Sequence, residues 1–122
     1  LIGFSLVEVE PDRAVMRLEV DDRHTSPLGT LHGGILCDIA DGAMGCAWAT
    51  RLAEGESYTT LELKINFLRP VWKGVLHAEA KVVRGGKTVG LIEARVTDEE
   101  GRLMAFATST CMTLRGEKAS GR

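Results

Sequence analysis

The sequence is poor in aromatic residues, has no excess of charge of one sign and contains no long apolar run. Aromatic side chains make up 5% of the 122 residues, and the formal net charge is −2. The basic residues are scattered, so the chain lacks the electrostatic footprint of a protein that binds nucleic acid or an anionic membrane. No stretch approaches the roughly 18 apolar residues of a membrane span. We therefore expect neither a nucleic-acid partner nor a membrane partner.

Cysteine is also scarce. Cys37, Cys46 and Cys111 are odd in number and show no CxxC spacing, which argues against a disulfide framework and against a zinc site. They predict three small buried thiols in a reducing cytosol. Residues 1–4 lack the charged region and cleavage site of a signal peptide, although residue 1 is not Met and a preceding targeting segment is left open. We expect a cytoplasmic protein without a metal.

Glycine is the residue present in excess, with 14 copies, near 11% of the chain against a usual level of about 7%. The length fits one domain with a sizeable core. The 44% hydrophobic and 26% charged residues exclude wholesale disorder. Such a chain needs tight turns or close backbone approaches more often than it needs large side chains.

Turn residues divide the chain into a strand pair, one helix and a four-strand meander. This order predicts an α+β fold in which a curved antiparallel sheet wraps around one long central helix. We expect one domain over residues 1–115 and a small, polar, flexible tail over 116–122. The predicted strands are 4–9, 14–20, 58–67, 75–83, 88–97 and 102–114, and the predicted helix runs from about 33 to 53.

The predicted helix has a broad apolar sector and an opposite sector that contains Asp38, Asp41, Gly42, Gly45 and Ala49. Each mid-helix glycine costs about 1 kcal/mol relative to alanine, so something is expected to approach closely there. Two accounts are open: another backbone packs on a smooth helix face, or a ligand needs room beside Asp41.

Candidate chemistry lies at two places on this helix. Gly33 and Gly34 stand at its start after His32, where unpaired N–H groups suit an oxyanion; plain turn geometry and a capping histidine are the alternatives. Asp38 is explained by the helix dipole. Asp41 lies beyond the first turns and is a candidate general base or nucleophile, with a structural hydrogen-bonded role as the alternative.

The spacing of these candidates limits how they can act. Gly33 and Asp41 are eight residues apart, about 12 Å along a helix that rises 1.5 Å per residue. One carbonyl carbon cannot lie close to both. If both act on one bond, Asp41 must come from a second copy whose helix runs antiparallel, and the smooth Gly42, Gly45 and Ala49 face is compatible with such a dimer.

Three segments carry a family resemblance: LGTLHGGILCDIADGA at residues 28–43, YTTLELKINFLRP at 58–70 and GRLMA at 101–105. Together they resemble the hotdog-fold acyl-CoA thioesterases of the phenylacetate-pathway, PaaI-like group in the 4-hydroxybenzoyl-CoA thioesterase superfamily. The similarity runs from about residue 3 to residue 114. It implies the hotdog fold and hydrolysis of an acyl-CoA thioester to a free acid and CoA.

The resemblance also implies roles for single residues. Gly33 would donate its N–H to the thioester oxygen with His32 supporting the turn, and Asp41 of the other subunit would activate water or attack the carbonyl. Thr60 would orient the water. Ser26 stands where relatives often carry an Asn that helps polarise the carbonyl, so its role is open.

Coenzyme A ends in a phosphorylated nucleotide, so basic residues are expected near the mouth of the cleft. Arg69, Arg84 and Lys87 are the candidates, with ordinary solvated positions as the alternative. The resemblance implies a homodimer or homotetramer and no cofactor, since CoA is part of the substrate. The rivals are a non-catalytic module that binds acyl-CoA or an aromatic ligand, an enoyl-CoA hydratase and a structural protein.

Overall fold

The computed structural model describes residues 3–21, 24–25 and 29–120. In chain order the elements are β1 (Ser5–Glu10), β2 (Arg13–Val20), α1 (Gly33–Ala49), β3 (Ser57–Phe67), β4 (Gly74–Gly85), β5 (Val89–Thr97), β6 (Leu103–Leu114) and α2 (Glu117–Ser120). The predicted strands all form, within two residues at each end.

The six strands in the described ranges make one antiparallel sheet in the order β1-β2-β4-β5-β6-β3. The sheet curves around α1, which contacts every strand. β1 and β3 are the edge strands. The predicted α+β architecture is confirmed. Neither described helix has the length and apolar character that crossing a bilayer requires.

Small side chains fill the space between the sheet and the helix. Several inward positions of the central strands are alanine, including Ala80, Ala94 and Ala107, all at most 1% exposed. Trp48 is the largest fully buried side chain, and a Cβ at Gly90 would collide with its ring. The scarcity of aromatic residues therefore has a structural basis: the sheet lies too close to α1 for more large rings.

Helix α1 ends at Ala49, four residues before the predicted end near residue 53. Thr50 is the C-cap: its hydroxyl donates to the carbonyl of Ala47 (2.7 Å) and accepts the N–H of Asp12 (2.9 Å). Arg51 then binds the Asp12 carboxylate through two hydrogen bonds of 2.7 and 3.0 Å. The end of the helix is thus set by contacts with the β1–β2 turn, which local periodicity does not reveal.

The segment predicted to be a flexible tail contains the one-turn helix α2. Gly116 has a positive φ of 63° and turns the chain after β6. The Ser57 hydroxyl then donates to the carbonyl of Ala119 at 3.3 Å. This long-range contact with the start of β3 supports the helical turn Glu117–Ser120, which the sequence did not predict, and the flexibility of residues 116–122 stays a prediction.

Candidate active site

The start of α1 presents backbone N–H groups to solvent. His32 is the N-cap, with an extended backbone (φ −62°, ψ 134°), and its side chain makes no capping hydrogen bond. Its carbonyl accepts the N–H of Ile35 (3.0 Å), and its own N–H donates to the carbonyl of His24 (2.9 Å). Gly33 and Gly34, the first two helical residues, have no intrahelical acceptor for their N–H groups. This geometry suits an anion or a developing oxyanion.

A cleft of about 380 Å³ opens at this helix start. Its walls are residues 30–31, Gly33, Leu36 and the end of β3 with the segment after it, residues 67–71. A Cβ at Gly33 would lie 3.1 Å from Cζ of Phe67, so the glycine lets an aromatic ring approach the helix backbone. Arg69 lines the same cleft. The structure thus brings two predicted site residues, Gly33 and Arg69, together.

Asp41 and Thr60 form the second part of the site. Asp41 is exposed on the third turn of α1, and the Thr60 hydroxyl on β3 donates to its Oδ1 at 3.4 Å. The register of the β3–β6 pair shifts between Thr60 and Glu62. Such bulges redirect side chains and are frequent beside active sites. The sequence placed these two residues in one site by resemblance, and the fold brings them into contact.

The two parts of the site are separated along one helix. Gly33 and Asp41 both lie on the continuous helix α1, so their axial separation is about 12 Å. Within one chain they therefore cannot act on the same carbonyl carbon. The predicted spacing constraint holds in the structure.

The glycine face of α1 is covered by side chains of the same chain. A Cβ at Gly42 would lie 2.9 Å from the Met16 sulfur, and one at Gly45 would collide with the Tyr58 hydroxyl. Gly45 is buried. The close approach predicted from these glycines is real, but at both positions the neighbour is a side chain of this chain. The suggestion that they offer a smooth face to a second helix is therefore wrong.

Two residues beside Asp41 were missed in the sequence. Tyr58 on β3 is half-buried against Gly45, which lies one helical turn beyond Asp41. Burial raises the pKa of its phenol, and the nearby Cys111, Cys46 and Asp41 raise it further. Cys111 lies opposite Thr60 in the β3–β6 register and is fully buried. Gly45 could have signalled a large side chain near Asp41, whereas nothing in the sequence pairs residue 111 with residue 60.

The three cysteines are free, but only Cys111 is buried, and Cys37 and Cys46 are half-buried. Burial, and then Asp38 and Asp41, raise the pKa of the Cys37 thiol, and burial raises that of Cys46. These thiols stay protonated near neutral pH and are poor nucleophiles. The carboxylate of Asp41 is therefore the better candidate for the chemistry.

The remaining predicted residues do not join this cleft within one chain. Arg84 and Lys87 lie at the β4–β5 turn, and a Cβ at Gly85 would collide with the guanidinium of Arg51. Arg51 follows the C-terminal end of α1, which is roughly 24 Å from Gly33 for a 17-residue helix. Ser26 lies outside the described residues.

Comparisons with known proteins place this geometry in a family. The family model described as the thioesterase superfamily matches residues 28–105, which include both parts of the site. The chain belongs to the thioesterase superfamily. It is 32% identical over 109 residues to the 1,4-dihydroxy-2-naphthoyl-CoA hydrolase of Listeria monocytogenes, a match that covers 89% of each chain.

Similar solved structures agree with this assignment. A thioesterase from Haemophilus influenzae superposes with a TM-score of 0.89 at 26% identity, covering 93% of this chain and 80% of that chain. A variant of the phenylacetic acid degradation protein PaaI from Thermus thermophilus gives a TM-score of 0.84 at 28% identity, covering 91% and 93%. The resemblance, the hotdog fold and the assignment as a hydrolase are confirmed.

Proposed function

We propose that this thioesterase-superfamily chain hydrolyses an acyl-CoA thioester to a carboxylic acid and CoA at a site shared by two copies of the chain. The observation that carries the proposal is the division of the site along α1. The Gly33 N–H that suits an oxyanion and the carboxylate of Asp41 are about 12 Å apart on one helix. A second chain with its helix antiparallel would bring its Asp41 to the first chain's Gly33.

The chemistry follows from the two parts. The Gly33 N–H, at the positive end of the helix dipole, donates to the thioester oxygen and stabilises its charge as the carbonyl carbon becomes tetrahedral. In the general-base route, Asp41 takes a proton from the attacking water, and Thr60 holds one oxygen of that carboxylate. The C–S bond then breaks, and CoA leaves as a thiolate that takes up a proton. In the nucleophilic route, Asp41 itself attacks the carbonyl carbon, the C–S bond breaks and CoA leaves as a thiolate that takes up a proton, and water then cleaves the resulting anhydride to the free acid and the Asp41 carboxylate.

The edge strand β3 supports the shared site. β3 pairs with β6 along one side, and in the described sheet it has no neighbour on the other. It carries Thr60 beside Asp41 and Phe67 beside Gly33. Leu61 and Phe67 are 52% and 53% exposed, and exposed apolar side chains on a free strand edge favour association. A homodimer formed here would complete the site, and a homotetramer stays a prediction from the resemblance.

We propose Arg69 for the phosphates of CoA, because it lines the cleft at Gly33. Within the part of the chain that the structure describes, its side chain has no hydrogen-bond or ion-pair partner. Arg84 and Lys87 would reach the same cleft only from a second chain. Replacing Arg69 by Met should raise KM with little change in kcat, and an unchanged KM would remove Arg69 from the site.

The reaction needs no metal or further cofactor in this proposal. The free thiols favour the cytoplasm as its location.

A panel of short-chain, long-chain and aromatic acyl-CoAs tests the activity. CoA release should be followed by chromatography, which measures CoA and the free acid directly. We expect release of CoA from at least one acyl class in stoichiometric amounts with the free acid. Binding of acyl-CoA without any release across the panel would instead favour the non-catalytic module.

A further inference from the structure

A line of side chains leads from Asp41 into the core of the molecule. The Thr60 hydroxyl lies 3.4 Å from Asp41 Oδ1 and 3.9 Å from Cys111 Sγ. Cys111 Sγ lies 4.0 Å from the hydroxyl of Ser109, which in turn is 3.4 Å from the sulfur of Met44. Ser109 and Cys111 are fully buried. The proposed catalytic carboxylate is thus connected to the core through one strand pair.

The number of available protons determines which group donates in each of these hydrogen bonds. Thr60 has one hydroxyl proton, which it donates to Asp41, so in the contact with Cys111 the sulfur must be the donor. Ser109 likewise gives its one proton to the Met44 sulfur, which only accepts. Cys111 is therefore the group left to donate in both contacts, and its single S–H proton can point to the hydroxyl oxygen of Thr60 or to that of Ser109.

The surroundings of Cys111 keep that proton in place. The pKa of its thiol is raised, because burial, the largest effect, outweighs the lowering effect of the contacts with Thr60 and Ser109. Cys111 is opposite Thr60 in the β3–β6 register, and this register shifts directly after Thr60. Among the described residues, Thr60 is the one hydrogen-bond partner of the Asp41 side chain. A group that orients the hydroxyl of Thr60 therefore also orients the carboxylate of Asp41.

We propose that Cys111 is a positioning residue for the hydrolysis: its S–H donates to Thr60 and so directs the single hydroxyl proton of Thr60 to Asp41. This inference rests on the proposed function. Cys111 is fully buried and acts through Thr60. It holds one carboxylate oxygen of Asp41 and leaves the other for the proton of the attacking water.

Removing the thiol donor tests the inference. Cys111→Ala and Cys111→Val should lower kcat by on the order of 3- to 10-fold, the effect of one lost hydrogen bond, with KM nearly unchanged. Cys111→Ser supplies a hydroxyl donor and should recover most of kcat.

A double-mutant comparison separates positioning from general damage to the fold. Thr60→Val should reproduce the loss, and adding Cys111→Ala to Thr60→Val should cost nothing further. Cys46→Ala, a half-buried thiol outside this line, should keep wild-type kinetics. If Cys111→Ala does not fold, Cys111→Val serves instead, because valine also lacks the S–H donor but fills more of the space left by the cysteine side chain.

Two results would overturn the inference: a folded Cys111→Ala or Cys111→Val protein with wild-type kcat, or the same loss whether or not Thr60 is present. Hydrolysis that survives Asp41→Asn would contradict the proposed function instead. The two failures are therefore distinguishable.

Discussion

At the scale of single residues, Gly45 of α1 lies where a side chain of β3 packs directly against the helix. Gly45 is buried against the Tyr58 hydroxyl, one turn beyond the exposed carboxylate of Asp41. Tyr58 and Thr60 lie two residues apart on β3 and contact Gly45 and Asp41 respectively. The packing at Gly45 therefore helps to set the distance between β3 and the carboxylate.

Gly45→Ala should destabilise the fold. Its Cβ would collide with the Tyr58 hydroxyl, and we expect a loss of about 1–3 kcal/mol from overpacking despite the better helix propensity of alanine. Gly34→Ala is the matched control, because nothing lies within 4 Å of the Cβ that alanine would add there. Its free energy of unfolding should be unchanged or rise by up to about 1 kcal/mol. Urea denaturation of the two variants gives both values. Equal stability of the two proteins would contradict the contact with Tyr58.

Part of the site could be predicted from residues alone. The glycine pair at a helix start and an acid beyond the first turns indicated where chemistry could lie, and the spacing of Gly33 and Asp41 gave their separation. Cys111 could not be found, because its contact with Thr60 depends on the β3–β6 register and on a bulge within it. Ser26 keeps its open role.

At the scale of elements, turn residues predicted the strands well, whereas the helix end and α2 depended on distant contacts. Thr50 and Arg51 stop α1 against Asp12, and Ser57 supports α2. A similar long-range contact holds the loop between α1 and β3. The Glu56 carboxylate accepts the N–H of Ala53 (2.8 Å) and Nε of Arg115 after β6 (2.7 Å).

Glu56→Gln should make stability less dependent on pH. The Ala53 N–H first, and then Arg115, hold the pKa of Glu56 below its usual range. A carboxylate whose pKa is lowered by folding stabilises the protein above its unfolded pKa, near 4.3, and this stabilisation is lost as pH falls through the lower folded pKa. We expect the variant to have a lower Tm than wild type at neutral pH and a similar Tm at about pH 3.

Glu54→Gln is the control for this change. Glu54 is exposed two residues earlier, and within the described ranges its side chain has no ion pair. Its Tm should follow the wild type at both pH values. A Tm difference for Glu56→Gln that is the same at neutral and acid pH would show that the charge of Glu56 is not responsible.

At the scale of the whole molecule, the small size of the chain and the division of its site lead to the same conclusion. A sheet that lies close to α1 leaves an open cleft at the helix start, and the carboxylate is roughly two turns further along the helix. The free edge of β3 lies next to both parts. In the proposed function, one copy of the chain therefore carries both halves of the site too far apart to act on one carbonyl, and a second copy completes the site.

Hybrid dimers test whether the site is shared. Gly33→Pro removes the proposed N–H donor, and the extended backbone of His32 (φ −62°, ψ 134°) suits the residue before a proline at the first helical position. Gly33→Ala is the control that keeps the N–H. Gly33→Pro and Asp41→Asn should each be nearly inactive alone. Mixed dimers isolated with two different tags should recover about half of the wild-type activity, since one of two symmetric sites is intact. Hybrids as inactive as their parents would contradict a shared site.

The most direct measurement is the hydrolysis rate of Asp41→Asn on the best acyl-CoA of the panel. We expect kcat to fall by at least about 100-fold, as for loss of a general base, with an unchanged Tm and circular dichroism spectrum. Asp38→Asn, an exposed acid one turn earlier, should keep the wild-type rate. A folded Asp41→Asn protein that hydrolyses the same acyl-CoA at close to the wild-type rate would contradict the role of Asp41 and the mechanism built on it.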